Sequence, residues 1–156
     1  MVNFEKELKI KKLKVTPQRV TILKEIAEYG HASIDDIYER IKKTYPSISL
    51  ATIYKNVTIL CQFNVLSEIK VPGYKQKYEL NREKHVHIVC DQCGKLEDIY
   101  IDFSALEQDC QKNSGYNIHR FSAIFMGICP ECEKVNSRES NNHFITANNH
   151  KQWCHN

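Results

Sequence analysis

Four of the chain's seven cysteines are paired, as Cys90-Asp91-Gln92-Cys93 and Cys129-Pro130-Glu131-Cys132. A Cys-x-x-Cys turn aims two thiolates at one point, and two such turns can complete a tetrahedron of sulfur around Zn²⁺. Gly94, directly after the first pair, relieves crowding where the turn folds back. The 35 residues between the pairs exceed the spacing of a short zinc ribbon, so the ion is expected to clip together distant strands of one domain. A site closed by four thiolates has no open position for a substrate, which makes its expected role structural. Two disulfides or free thiols are the alternative. Paired cysteines in a chain read as cytosolic point to metal instead. Cys61, Cys110 and Cys154 stand alone. The first two read as small buried hydrophobes. Cys154 lies with His143, His150 and His155 in a polar stretch that reads as solvated.

A second set of ligand types surrounds the first pair. His85-Val86-His87 immediately precedes Cys90. On a strand, residues two apart face the same side, so both imidazoles can meet one ion. Glu79 and Asp98 are carboxylates on neighbouring expected strands, and His31 lies between two expected helices. Imidazole and carboxylate donors suit Fe²⁺, Mn²⁺, Zn²⁺, Ni²⁺ or Co²⁺ without selecting sharply among them. If His31 and Glu79 join the others, one ion bridges the two halves of the chain. No helical His-Glu-x-x-His and no nucleophile motif is present, so no enzyme is expected. A zinc hydrolase built on this cluster, and a zinc module that binds protein and never DNA, are the rival classes.

These side chains need elements to hold them. Phe4, Leu8, Ile10 and Leu13 suggest a short amphipathic helix. Thr16-Pro17 is a cap followed by proline at the first helical position, and Tyr29-Gly30 ends that second helix. Ser33-x-x-Asp36 fits a capping box before a third helix, which Tyr45-Pro46 stops. A fourth runs from about Ser49 to Phe63, with Asn64 as its stop. Residues 65–69 and 77–80 read as strands about a Pro72-Gly73 turn. Helices followed by a hairpin make a winged helix-turn-helix pattern. Further on, strands at 86–90, 96–101 and 118–128 surround a helix at 103–113. The fold class is α+β, with a winged-helix domain at 1–80, a linker at 81–84, a second domain at 85–135, and a polar tail at 136–156 expected to be disordered.

Composition narrows the partners. Residues 1–80 hold 14 Lys/Arg against 9 Asp/Glu, and residues 81–156 hold 8 against 10, so the basic half is the helical one. That placement suits a polyanion. No run approaches the ~20 apolar residues of a membrane span, and the charged first residues lack the apolar stretch of a secretory signal. A cytoplasmic protein with no membrane partner and no small-molecule substrate is expected. In the fourth helix Leu50, Ile53 and Val57 can face the core, leaving Ala51, Thr52, Tyr54, Lys55 and Asn56 outward. Hydroxyl, methyl, cationic and amide groups are the types that meet base edges and phosphates in a major groove.

Lys14-Val15-Thr16-Pro17-Gln18-Arg19, His31, Ser49-Leu50-Ala51-Thr52-Ile53-Tyr54-Lys55-Asn56, Lys77-Tyr78-Glu79-Leu80, His85-x-His87-x-x-Cys90-x-x-Cys93-Gly94-Lys95 and Cys129-x-x-Cys132 occur in this order. The chain thereby resembles the ferric uptake regulator family of bacterial metal-dependent repressors over roughly residues 8–135. The resemblance implies a homodimer with an N-terminal winged helix and a C-terminal α/β dimerisation domain, closed onto a palindromic operator in AT-rich double-stranded DNA. It implies regulatory metal ligands at His31, Glu79, His85, His87 and Asp98, and structural zinc at Cys90, Cys93, Cys129 and Cys132. Tyr54 and Lys55 would lie in the major groove, Lys14 in the minor groove and Arg19 near phosphates. The simple His-x-His and the Pro46-to-Asn56 stretch resemble the peroxide-sensing branch, in which bound Fe²⁺ reacts with peroxide and a ligand histidine, here His31 or His85, is oxidised. Fe²⁺ or Mn²⁺ would be the corepressor, with Zn²⁺ possible in vitro. Glu79 is instead the choice of iron sensors in the family, and sensors of zinc, nickel or manganese also belong to it. Val86 between the histidines and Phe121 depart from the extra site of many iron sensors.

Overall fold

The computed structural model describes residues 2–119 and 121–137. The chain divides into two compact units, Met1–Glu83 and Lys84–Asn156.

The first unit is four helices and a hairpin. Helix α1 spans Phe4–Ile10, α2 Pro17–Tyr29, α3 Ile34–Thr44 and α4 Leu50–Gln62. Side-chain oxygens of Asn3, Thr16, Ser33 and Ser49 accept the first free N–H groups of the four helices. Ser33 and Asp36 close the expected capping box in both directions. Helix α2 ends at Gly30, whose φ of 75° is open to glycine and costly for other residues. Asn64 takes a φ of 53° after α4, a conformation asparagine tolerates. Strands β1 (Leu66–Ile69) and β2 (Lys77–Leu80) pair antiparallel, with Leu66 opposite Leu80 and Ile69 opposite Lys77. Ile22, Leu23 and Ile26 of α2, Ile37 and Ile41 of α3, and Ile53, Val57 and Leu60 of α4 meet in one core. Each such side chain contributes about 1.5–3 kcal/mol by leaving water.

Two expected core positions are corrected. Ile10 is 68% exposed, because α1 ends there and only Phe4 and Leu8 of that helix turn inward. Leu50 is 44% exposed. It is the first residue of α4, ahead of the turn in which Ile53 begins the buried stripe.

In the second unit, β3 (Val86–Cys90) is the middle strand of three. It pairs antiparallel with β4 (Leu96–Ile99) and parallel with β5 (Ile124–Gly127). Helix α5 (Ser104–Ser114) lies in sequence between β4 and β5, and the chain is helical again over 130–137. Of the strand expected at 118–128, the described residues form only Ile124–Gly127. β5 pairs with β3 from His87↔Ile124 to Cys90↔Gly127, so its length is set by the short partner strand. Likewise β4 stops at Ile99, opposite Val86, and Tyr100 and Ile101 lie beyond it. Cys110 is exposed on α5, not buried, since that helix buries none of its side chains within the chain. Of the tail expected at 136–156, Asn136 and Ser137 are helical, and Cys154 and the tail histidines lie outside the described residues.

Candidate metal centres and nucleic-acid interface

The four paired cysteines converge. Cys90 closes β3 and Cys93 follows on a tight turn, in which Gly94 N–H donates to Cys90 C=O and Cys90 N–H to Lys95 C=O, both at 2.9 Å. Gly94 makes that reversal with a φ of 71°. The end of β5 is tied to the same turn by Asp91 N–H donating to Gly127 C=O at 2.8 Å. Cys129 and Cys132 come from the start of the helical segment at 130–137, where Glu133 N–H donates to Cys129 C=O. All four sulfurs lie within 4.8 Å of one another. Cys93 and Cys129 are 3.8 Å apart, far beyond a disulfide bond. Zn–S bonds of ~2.3 Å place tetrahedral sulfurs about 3.8 Å apart, so this spacing fits Zn²⁺. The charges agree. Backbone N–H groups, that of Cys129 foremost and at 3.3 Å, bring the Cys90 thiol down to about 6. Interaction with the Cys129 side chain foremost, then burial, pushes Cys132 up to about 12. One thiolate ionises readily while another resists a neighbouring charge, a balance that a dication relieves.

A second cluster sits on the same sheet. His87 on β3 is directly opposite Asp98 on β4. His85 precedes His87 by two residues and turns to the same side. The two imidazole Nε2 atoms are 3.2 Å apart, and Asp98 Oδ1 is 3.6 Å from His85 Nε2 and 3.5 Å from His87 Nε2. Metal bonds of ~2.0–2.2 Å separate adjacent donors by roughly 2.9–3.6 Å. The three donors therefore fit one divalent ion. The Tyr100 ring lies 5.4 Å from that of His85, a neighbour with no signal in the sequence.

In the first unit, His31 Nε2 is 3.6 Å from Glu79 Oε2, and both side chains are only 12% exposed. A single bridge sets this pair. Ala32 N–H donates to Tyr78 C=O at 3.1 Å and Tyr78 N–H returns the bond at 2.8 Å. That antiparallel exchange brings His31, one residue before, beside Glu79, one residue after. Nothing local in the sequence announces it, because 46 positions separate the bridged residues.

The residues expected at DNA group around α4. Tyr54 is 60% exposed and Lys55 is exposed beside it. Thr52 shares a 2.8 Å hydrogen bond with the hydroxyl of Ser49. Asn56 Oδ1 accepts from Arg19 Nε at 3.2 Å, and Arg19 Nη1 donates to Lys14 C=O at 2.7 Å. Lys14 and Arg19 are thus joined to α4, a link the sequence reading missed.

The model of the ferric uptake regulator family matches residues 11–126. The peroxide-responsive repressor PerR of Staphylococcus saprophyticus is 31% identical over 123 residues, covering 78% of this chain and 83% of that one. The Campylobacter jejuni peroxide stress regulator, a solved structure, is 36% identical with a TM-score of 0.68, over 84% of this chain and 100% of that one. The ferric uptake regulator of Francisella tularensis, solved with iron, is 28% identical with a TM-score of 0.66, over 78% of this chain and 95% of that one. No helix among the described residues is long and apolar enough to cross a membrane.

Proposed function

The chain belongs to the ferric uptake regulator family, and from that premise we propose that it is a metal-dependent transcriptional repressor of the peroxide-responsive branch, acting as a cytoplasmic homodimer on AT-rich palindromic DNA. The observation that carries this reading is that His85, His87 and Asp98 in one unit, and His31 and Glu79 in the other, each stand at the spacing of adjacent metal ligands. The five residues would share one regulatory ion, while Cys90, Cys93, Cys129 and Cys132 would hold structural zinc. An ion so held would tie the units across residues 81–84, and iron there would supply the electrons for peroxide. His87 and Asp98 anchor the ligand set on paired strands. Glu79 is held by the β2 ladder, and His31 by the Ala32–Tyr78 bridge. Tyr54 and Lys55 project from α4 to the major groove, with Lys14 at the minor groove and Arg19 at phosphate. The tie stabilises one arrangement of the two α4 helices of a dimer, and only a difference in metal affinity between arrangements can drive such a shift.

Support for the peroxide branch comes from relatives at about 30% identity that are peroxide-responsive repressors and from the Campylobacter structure. Glu79 favours a second reading, an iron sensor, because glutamate at this position resembles the iron sensors of the family. One experiment separates them. The protein is loaded anaerobically with Fe²⁺ or Mn²⁺, tested on a duplex it selects from a random AT-rich library, then exposed to hydrogen peroxide. The peroxide reading expects DNA release from the iron form alone, with the mass of one oxygen atom added at His31 or His85. Release without that added mass, or no release, favours the iron sensor. DNA binding indifferent to both metals overturns the shared-ion reading.

A further inference from the structure

Asn56 lies on the outward side of α4, where an amide could read adenine. Each end of its amide already has one partner within the chain. The Oδ1 accepts from Arg19 Nε at 3.2 Å and the Nδ2 donates to Thr52 C=O at 2.9 Å. The orientation of the amide is fixed by its partners: a flip would set an NH₂ against the Arg19 donor and an oxygen against the Thr52 carbonyl, breaking both bonds. The residue is half-buried, as is Arg19. Arg19 is engaged a second time, through Nη1 to Lys14 C=O at 2.7 Å. A guanidinium is a rigid planar fork, so bonds at Nε and Nη1 fix its plane and aim the remaining Nη2 edge. The fork of α2 is thus set from α4 on one side and from the segment before α2 on the other.

We propose that Asn56 is a positioning residue that aligns the Arg19 guanidinium for a DNA phosphate, and that it reads no base. The inference rests on the DNA-binding function proposed above. It separates the side chains of α4 into two roles. Tyr54 and Lys55 face outward, and Asn56 prepares a phosphate clamp built from another helix. The same geometry couples the Lys14 backbone to α4 through Arg19, so the segment expected to approach the minor groove and the helix expected in the major groove share one anchor.

The test compares the full-length wild type with N56A, N56D, R19A and the N56A/R19A double variant. Arg19 Nε–H exchange is followed by NMR in the free proteins. Affinity is measured by fluorescence anisotropy on a duplex selected by the wild type and on a panel with each base pair changed. The proposal expects slow Nε–H exchange in the wild type, fast exchange in N56A, and slow exchange retained in N56D, which keeps an acceptor oxygen. On DNA, N56A should bind about tenfold more weakly, equally across the whole panel, and should add no further loss in the R19A background. Loss of discrimination at one base pair in N56A, or losses that multiply in the double variant, would overturn the proposal. Fast Nε–H exchange in the wild type would overturn it without any reference to DNA. If the wild type selects no duplex while the exchange pattern holds, the DNA-binding function fails and the Asn56–Arg19 brace stands.

Discussion

At the scale of single residues, ligand chemistry separates two kinds of site. Sulfur donors from two turns form one set, and mixed imidazole and carboxylate donors form the other. Cys132 is one of the four converging sulfurs, so its loss leaves the set open. The prediction is that Cys132→Ser lowers bound zinc by one ion per chain by native mass spectrometry, and that the second unit loses its cooperative melting. Structural zinc in small domains is worth on the order of ~10 kcal/mol, more than a small unit can spare. Cys110→Ser, on the exposed face of α5, should leave zinc content unchanged. The thiolate site was legible because Cys-x-x-Cys fixes its own geometry within four residues. The His31–Glu79 contact was not, since its cause is a backbone bridge and not a local pattern.

At the scale of elements, the helix starts were written in the chain. Thr16, Ser33 and Ser49 each accept from a backbone N–H in the first turn, as their side chains predict. The Ser33–Asp36 box also carries a pH dependence. Hydrogen bonds from the Ser33 side chain and backbone hold the Asp36 carboxyl below its ordinary value of 3.8. A carboxyl lowered in the folded state contributes stability that is complete above the unfolded value and is lost as pH falls through the folded one. Ser33→Ala should therefore cost about 1 kcal/mol in urea unfolding at neutral pH. The difference from wild type should shrink once pH drops below the usual carboxylate range. A cost that stays constant down to pH 3 would show that Asp36 takes no part. Strand lengths were less legible. Apolar residues from 118 to 128 suggested one long strand, but a strand extends only as far as its neighbour offers backbone partners, and β3 offers few.

At the scale of the whole molecule, the second unit leaves apolar side chains uncovered. Leu106 on α5 is 48% exposed, Phe125 and Met126 on β5 are 46% and 50%, and Tyr116 is 77%. A small unit with so much apolar surface is expected to cover it with a second copy. Leu106→Asp should shift the sedimentation coefficient from dimer to monomer while zinc content stays the same. An unchanged dimer would place the interface elsewhere. Operator binding by the dimer should weaken steeply with salt, by roughly 10³- to 10⁵-fold between 50 and 200 mM if about six to ten phosphates are neutralised. A flat salt response would argue against Lys14, Arg19 and Lys55 as phosphate contacts.

What the chain alone determined is what depends on neighbours in sequence: the caps, the apolar stripes of α2 to α4, the hairpin about Gly73, the Cys-x-x-Cys turns and the shared side of His85 and His87. Tertiary structure decided what depends on distant segments meeting. It set Asp98 against His87 by strand register, seated His31 beside Glu79 through the Ala32–Tyr78 bridge, and committed Asn56 to Arg19 across 37 positions. The physical reason is one of range. Side-chain periodicity and capping act over one or two turns of backbone, whereas register and bridging are fixed only when the packed core brings remote hydrogen-bonding groups to within about 3 Å of each other.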